Sequence, residues 1–100
     1  MRRASKRWLN ADCPKGVLAI FDDGGKSIDR YTVFYADISD GVVTYVAMNA
    51  APFHPQGFGQ HGELSPYQVA AYRRTNYRRS CCWSDLPDDC KRLVRQDLAV

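Results

Sequence analysis

Three short segments in the first half of the chain combine apolar side chains with residue types that favour strands. Residues 17–21 form an apolar run, residues 30–36 are dense in β-branched and aromatic side chains, and residues 42–48 continue that pattern. Turn signals separate them, first Asp-Asp-Gly-Gly and then Ser-Asp-Gly. Because these links are short enough for hairpins, the pattern predicts an antiparallel β-meander over residues 17–48.

A helical pattern follows near the C-terminal end, over residues 84–98. Pro87 stands early in it, and Asp88 and Asp89 occupy the first turn, where carboxylates face the positive end of the helix dipole. Helical spacing places one apolar face on Leu86, Cys90, Leu93, Val94 and Leu98. The chain is therefore predicted to adopt an α+β fold: a small antiparallel sheet of three strands or more, with the C-terminal helix packed on one face.

The segment at residues 49–66 is rich in glycine, histidine and glutamine, and it predicts a loop. It holds both histidines of the chain, and two of its three prolines, Pro52 and Pro55, lie within its first half, where they cannot donate to a β-ladder. Its glycines weaken any helix. Residues with chemistry are thus concentrated where no regular element is expected.

The arginine-rich segment at residues 67–83 is compatible with two structures. Ser65 and Pro66 resemble a helix start, with serine as the cap and proline at the first helical position. The alternative is irregular structure that leads into a short strand near residues 80–83. The residue pattern leaves both open.

Length and composition predict one folded domain over residues 1–100. Apolar residues make up 45% of the chain and aromatic residues 12%, which is typical of a globular protein and excludes a disordered one. No apolar run approaches the roughly 20 residues of a membrane span. No apolar signal region follows the basic start, so a cytoplasmic protein is expected.

The net charge of +3 conceals an uneven distribution along the chain. Residues 1–16, which include a predicted basic arm at 1–14, carry five bases and one acid, and residues 67–83 carry four arginines and no acid. Residues 17–66 between them carry two bases and six acids. The two basic patches are either solvated surface or a binding face for an anion-rich partner.

The four cysteines give little support for a metal or a disulfide. Cys81 and Cys82 are adjacent and cannot readily form a relaxed disulfide with each other, and free thiols are expected in the absence of a secretory signal. A zinc site from Cys13, Cys90 and one of the adjacent pair lacks any Cys-x-x-Cys spacing. We therefore predict no metal and no cofactor, with the thiols as small apolar side chains of the core.

The two histidines are the first candidates for chemistry. His54 and His61 lie seven residues apart, with Glu63 two residues further on. Histidine changes charge near neutral pH, so a converging pair would suit acid–base work or metal binding. The spacing matches no known metal motif, and histidines in loops often hydrogen-bond to backbone. Partner contact is a third possibility.

A second candidate is a polar cluster at the start of the 30–36 segment. Asp29 and Arg30 lie where the second strand is expected to begin, so one prediction is a polar cluster with the histidines or the loop glutamines, Gln56 and Gln60. The alternative is a surface ion pair that contributes little. Residues 57–59, Gly-Phe-Gly, allow close backbone approach, but no phosphate-loop lysine follows them.

The most basic stretch, residues 72–79, is a candidate nucleic-acid contact. Arginine binds phosphates and tyrosine stacks on bases, and both recur here. The candidate residues are Arg73, Arg74, Arg78 and Arg79. No recognised nucleic-acid motif accompanies them, so a solvated face or a face that docks on protein is the alternative.

Three motifs together resemble a family of small proteins encoded by tailed phages and prophages. They are Asp-Arg-Tyr-Thr at 29–32, Pro-Phe-His-Pro-Gln-Gly-Phe-Gly-Gln-His at 52–61, and Leu-Pro at 86–87 before the closing helix. The resemblance extends over about residues 17–63 and 83–98. It implies a phage setting and no known activity. Small phage proteins often bind a host protein, and some inhibit host defence, as anti-CRISPR proteins do.

Three functions follow as hypotheses. The first is a non-enzymatic phage accessory protein that binds a host protein or protein–nucleic-acid complex in the host cytoplasm. The second is direct nucleic-acid binding through the arginine-rich segment. The third is a small enzyme or ligand-binding protein that uses His54 and His61 with Asp29 and Arg30.

Overall fold

The computed structural model describes residues 14–39, 41–73 and 79–99. Almost all of the predicted basic arm, with Cys13, lies outside these residues, and so do Arg74 and Arg78. The predictions that concern those positions therefore lie outside the described residues.

Within the described residues, five antiparallel strands form one sheet. In chain order the strands are β1 Val17–Asp22, β2 Tyr31–Ser39, β3 Val42–Met48, β4 Gly59–Leu64 and β5 Arg79–Ser80. Their order across the sheet is β4-β3-β2-β1-β5, so the first four strands form a meander and β5 returns beside β1. Helix α1, Pro66–Arg73, connects β4 to the arginine-rich segment, and helix α2, Asp88–Leu98, follows a 3-10 turn at Trp83–Asp85.

Helix α2 covers one face of the sheet, which we call the α2 face. Its buried residues Cys90 and Val94 pack among strand residues and Trp83. The strand residues of this core are Val17, Ile20, Tyr31, Val33, Tyr35, Val46 and Met48. Burial of each large apolar side chain contributes roughly 1.5–3 kcal/mol before entropy is considered, so this face holds α2 in place.

The opposite face, called the α1 face, carries a smaller aromatic core. Phe21, Phe34 and Tyr72 meet edge to face with ring centroids 5.1–5.8 Å apart, and Val69 of α1 packs beside them. Phe34 and Tyr45 make a similar contact at 5.6 Å. Such pairs are worth roughly 0.5–1.5 kcal/mol beyond their buried area.

Carboxylates and glycines shape the β1–β2 connection as the turn signal predicts. Gly24 and Gly25 adopt positive φ angles of 77° and 86°, which side chains other than glycine rarely adopt. The buried Asp23 carboxylate accepts hydrogen bonds from the amides of Gly25 (2.8 Å) and Lys26 (3.0 Å), and from the Ser27 hydroxyl. The turn is therefore folded around one acid.

The α+β prediction is confirmed, and so is α2 on one face of the sheet. The loop prediction for residues 49–66 is wrong from residue 59 onward, because Gly59–Leu64 forms β4 against β3. At the start of the 67–83 segment the chain adopts the predicted helix, Pro66–Arg73, rather than irregular structure. Ser65 and Gln68 exchange reciprocal hydrogen bonds of 3.2 and 2.8 Å that cap α1. A two-residue strand then follows, and α2 begins at Asp88, later than predicted.

Candidate binding site at the free edge of the sheet

Strand β4 lies at one end of the sheet and pairs with β3 alone among the described strands. It is six residues long, and it contains neither proline nor lysine, the residues that commonly block an edge. The β3–β4 ladder runs from Val43 opposite Leu64 to Met48 opposite Gly59 without a register shift, so no bulge twists the edge away.

The backbone groups of β4 that point away from the sheet follow from the ladder. The Asn49 amide donates to the Phe58 carbonyl at 3.0 Å, which makes this pair a hydrogen-bonded one. Pairs alternate in an antiparallel ladder, so Gln60, Gly62 and Leu64 also bond to β3. The amides and carbonyls of the alternate residues, Gly59, His61 and Glu63, therefore face outward.

The side chains of the same alternate residues lie on the α2 face. His61 is opposite Val46 and Glu63 is opposite Thr44, and residues directly opposite each other share a face. Val46 is fully buried in the core beneath α2. One set of residues thus presents backbone to the free edge and side chains to the helix side.

A cleft of about 570 Å³ lies on the α2 face beside β4. The C-terminal end of α2 contributes Asp97, β2 contributes Tyr35, and the remaining wall comes from β3 and β4. The lining residues are Tyr35, Thr44, Tyr45, His61, Gly62, Glu63 and Asp97.

Asp97 joins two side chains of the cleft through a single oxygen. Its Oδ2 accepts a hydrogen bond from the Tyr35 hydroxyl and lies 2.8 Å from His61 Nε2. Tyr35 is buried, whereas the His61 side chain is 55% exposed and the Asp97 side chain 22% exposed. The contact assigns a proton to Nε2 of a neutral His61, which leaves Nδ1 as an acceptor. The imidazole is thus held at one end and reaches solvent.

Burial and the neighbouring carboxylate of Asp97 both raise the pKa of Tyr35. Burial raises the pKa of its hydroxyl far above the usual value, and the hydrogen bond to Asp97 raises that pKa further. Tyr35 is accordingly a neutral hydrogen-bond donor at physiological pH. Its role is to orient Asp97 rather than to exchange a proton.

The cleft carries a negative charge pattern. Glu63 and Asp97 supply two carboxylates, His61 is the single lining residue that becomes a cation on protonation, and neither lysine nor arginine lines the cleft. Glu63 is exposed, and it forms no ion pair within the described part of the chain. The lining contains neither serine nor cysteine, and His61 Nε2 contacts Asp97 rather than the Thr44 hydroxyl, so no nucleophile–base pair is formed among the lining residues.

Gly62 is required by the ring above it. A Cβ at this position would lie 2.5 Å from Tyr45 Oη and 2.6 Å from Tyr45 Cζ. Any larger residue would displace the tyrosine, whose ring packs against Phe34. The glycine that suggested a loop in the sequence therefore serves close packing within a strand.

The structure separates the predicted polar cluster. The Asp29 carboxylate accepts from the Ser27 hydroxyl at 2.8 Å, and Arg30 Nε donates to Asp22 at 2.7 Å. His54 Nδ1 accepts from the Gln56 amide within its own loop at 3.1 Å. The hydrogen bonds of these residues do not join them to His61, which contacts Asp97 instead.

The ion pair between Arg30 and Asp22, at the start of β2, changes the pKa of Asp22. The hydrogen bond from Arg30 lowers the pKa of Asp22 below its usual value, against the opposing effect of burial.

Gln56 and Gln60 are both exposed. Of the loop candidates, only Gln60 and His61 lie on the edge strand.

Arg79 of the basic stretch lies away from this site. Arg79 is exposed on β5, opposite Asp22 of β1, at the other end of the sheet from β4. Arg73 ends α1. The cleft and the arginine-rich segment are thus separate candidates.

Cys81 and Cys90 are core residues, whereas Cys82 is partly exposed. Cys81, Cys82 and Cys90 are free thiols, and burial raises the pKa of both Cys81 and Cys90 to about 12. Within residues 14–39, 41–73 and 79–99, no group of three or more histidine, cysteine, aspartate or glutamate side chains is placed to hold a metal ion.

Two residues of the cleft, Tyr35 and Asp97, were not predicted as site residues. A signal existed for Asp97, which follows the buried Cys90 by seven residues and Val94 by three, so it lies on the apolar side of α2. Nothing in the sequence distinguished Tyr35 from the neighbouring strand aromatics. Its hydrogen bond to Asp97 spans 62 positions and depends on how α2 crosses the sheet.

In the part of the chain that the structure describes, no helix is long and apolar enough to cross a membrane. Comparison of the chain with models of protein families, with curated proteins and with solved structures finds no match.

Proposed function

We propose that this protein acts by binding another protein, whose extended segment adds to β4 as a sixth strand. The observation that carries the proposal is the outward backbone of Gly59, His61 and Glu63 on an edge without proline, lysine or bulge. Such an edge is a template for strand addition, in which main-chain hydrogen bonds supply affinity and alternate side chains supply specificity.

Exposed aromatic side chains at both ends of β4 support a protein partner. Phe53, 39% exposed, follows Pro52, which lies near Gly59. Tyr67, 88% exposed, lies three residues beyond Leu64. Aromatic residues that bracket a polar strand are suitable anchors, because they bury large areas at small entropic cost.

The phage resemblance supplies the setting of this proposal. In that setting the protein works in the cytoplasm of the host cell, and the partner is a host protein or a protein–nucleic-acid complex. A component of a host defence system, the target of anti-CRISPR proteins, is the leading partner class. The proposed mode of action is occupation of the partner's surface without chemical reaction.

Two substitutions of Glu63 test this proposal, because together they distinguish the contribution of the backbone amide to binding from that of the side chain. Glu63→Pro removes an outward amide, whereas the matched control Glu63→Gln retains it, and both remove the charge. Proteins captured from a host lysate by the wild type would be identified, purified and titrated by calorimetry. We expect the proline variant to bind at least about tenfold more weakly than the glutamine variant, a difference of about 1.4 kcal/mol.

Hydrogen exchange gives an independent measurement on the same complex. Strand addition should slow exchange at the amides of Gly59, His61 and Glu63, and should change Gln60 and Gly62 little because β3 already protects them. Equal affinity of the two Glu63 variants, with unchanged exchange at the outward amides, would contradict the proposal.

Nucleic-acid binding by the arginine-rich segment is a second proposal. It is supported by the exposure of Arg79 at the sheet edge remote from the acidic cleft. The test is a gel shift at low salt with alanine at Arg73, Arg74, Arg78 and Arg79, which should weaken binding strongly if these residues contact phosphates. Unchanged affinity would exclude this role.

A further inference from the structure

We infer that the cleft beside β4 receives an arginine side chain from the strand that the partner adds. This inference rests on the proposed strand addition and specifies the partner: an extended segment with arginine at a position that faces the α2 face. The occupant is thus a basic strand of another protein.

The register of β4 directs a partner side chain toward the cleft. Residues directly opposite one another on neighbouring strands project from the same face. The partner residue opposite Glu63 or His61 would therefore project on the α2 face, where these two side chains line the cleft. Its neighbours along the strand would project on the α1 face.

The charges of the cleft favour a cation. The carboxylates of Glu63 and Asp97 line it without a lysine or arginine to neutralise them, and Glu63 is free of ion pairs within the described residues. An anionic side chain would meet two like charges. The described residues offer no group of ligands for a metal ion, so an organic cation is the fitting occupant.

The shape and polarity of the cleft favour arginine over a small amine. The volume of about 570 Å³ falls within the roughly 300–1,000 Å³ usual for ligand sites. The two carboxylates come from different elements, β4 and α2, and Thr44 of β3 also lines the cleft. A guanidinium offers five donors in a planar fork and can engage several acceptors at once, which a compact ammonium does less well.

Tyr35 prepares the site by fixing one acceptor. Its buried hydroxyl donates to Asp97 Oδ2, the oxygen that His61 also contacts. With Oδ2 occupied by two partners, the second oxygen of Asp97 remains for the guanidinium. This reduces the ordering that binding requires.

Peptide titration of the full-length protein tests the inference. The probe is the blocked pentapeptide acetyl-Thr-Val-Arg-Val-Thr-amide, whose β-branched residues favour an extended form. Its matched control carries citrulline in place of arginine, which keeps the shape and removes the charge. Amide shifts of Gly59, His61 and Glu63 report the edge, and ring resonances of His61 and Tyr35 report the cleft.

We expect the arginine peptide to bind at least tenfold more tightly than the citrulline peptide, with shifts at both the edge and the cleft. Glu63→Gln should abolish most of this preference. Asp88→Asn is the control, since it removes a carboxylate from the exposed first turn of α2, outside the cleft. Asp97→Asn is the second cleft variant, and a lysine peptide measures how far the preference is for the guanidinium.

The outcomes distinguish this inference from the proposed function. Equal binding of the arginine and citrulline peptides, with edge shifts, would support strand addition and overturn the arginine site. Shifts confined to the cleft would support the arginine site and contradict strand addition. Absence of shifts at 10 mM peptide overturns the inference. Concentration-dependent shifts of the same amides without peptide would assign the edge to a second copy of the chain, and would also overturn it.

Discussion

The two edge strands of the sheet differ in their length and in the charge of the surface beside them. Strand β4 presents six residues and lies beside a cleft with two carboxylates. Strand β5 presents two residues, one of them the exposed Arg79, and it pairs only with the last two residues of β1. The amide of Cys81, next in the chain, continues this pairing by donating to the Ile20 carbonyl at 2.9 Å.

This difference shows how one small sheet separates two kinds of surface. At the β5 edge the 3-10 turn begins three residues after the strand, so the described chain beyond β5 offers little backbone for pairing. At the β4 edge the chain remains extended for six residues before α1 begins. The acidic edge therefore suits a strand, and the basic edge suits a surface that binds through side chains.

Proline placed along β4 should give the largest effect on stability. Gln60→Pro removes an amide that bonds to β3, and we expect a loss of about 1–3 kcal/mol of unfolding free energy because the Ala47 carbonyl loses its partner. Glu63→Pro removes an outward amide and should change stability by about 0.5 kcal/mol or less. Urea denaturation measures both, and equal losses would refute the assignment of which backbone groups face outward.

Tyr35→Phe should have the next largest effect, about 1 kcal/mol at neutral pH, because it removes the hydrogen bond to Asp97. The folded-state pKa of Tyr35 is raised, chiefly by burial. Its contribution is therefore fully present below the unfolded pKa of about 10 and is lost as pH rises beyond it. Denaturation at pH 8–11 should show a steeper alkaline loss in the wild type than in Tyr35→Phe. Parallel curves would contradict the role assigned to this hydroxyl.

Asp22→Asn examines the ion pair near the β5 edge and should have a smaller effect. Arg30 lowers the folded-state pKa of Asp22, so the stabilisation is present above the unfolded value of about 3.9 and disappears as pH falls through the lower folded value. Both side chains are partly exposed, which limits the gain. Thermal unfolding should separate wild type and variant slightly at pH 7 and not at pH 2. A difference that persists in acid would point to another cause.

Arg79→Ala should have the smallest effect, within about 0.5 kcal/mol, because the residue is exposed. It should also leave peptide binding at β4 unchanged, since β5 is at the far end of the sheet. Chemical denaturation and the peptide titration measure these two properties. A large change in peptide affinity would mean that the two edges are not independent.

The meander was predictable because β1, β2 and β3 are rich in apolar, β-branched and aromatic residues. Strand β4, Gly-Gln-His-Gly-Glu-Leu, has none of the strong strand formers, so its own propensity predicts no strand. Its conformation results from pairing with β3 and from the packing of Tyr45 over Gly62. Tertiary contacts decide this element, and a local pattern could not reveal it.

The cleft was predictable only in part. His61 was identified by its residue type, but its partner Asp97 lies 36 positions away and reaches it only because α2 crosses the α2 face in one direction. Asp29, Arg30 and His54 were grouped with His61 because strand ends cluster, yet local turns satisfy each of them first. Hydrogen bonds to near neighbours in the chain thus give each of these three residues a partner other than His61.

The strand order also bears on when the cleft beside β4 forms during folding. Strands β1 to β4 each pair with the strand next to them in the chain, so this part of the sheet can form by successive hairpins. Such local contacts favour rapid folding. Helix α2 is synthesised after every strand and carries Asp97 to the cleft. A nascent chain would thus form the β4 edge before the cleft is complete. Pulse-labelled hydrogen exchange during refolding would test this order, which predicts protection of β1–β4 before α2.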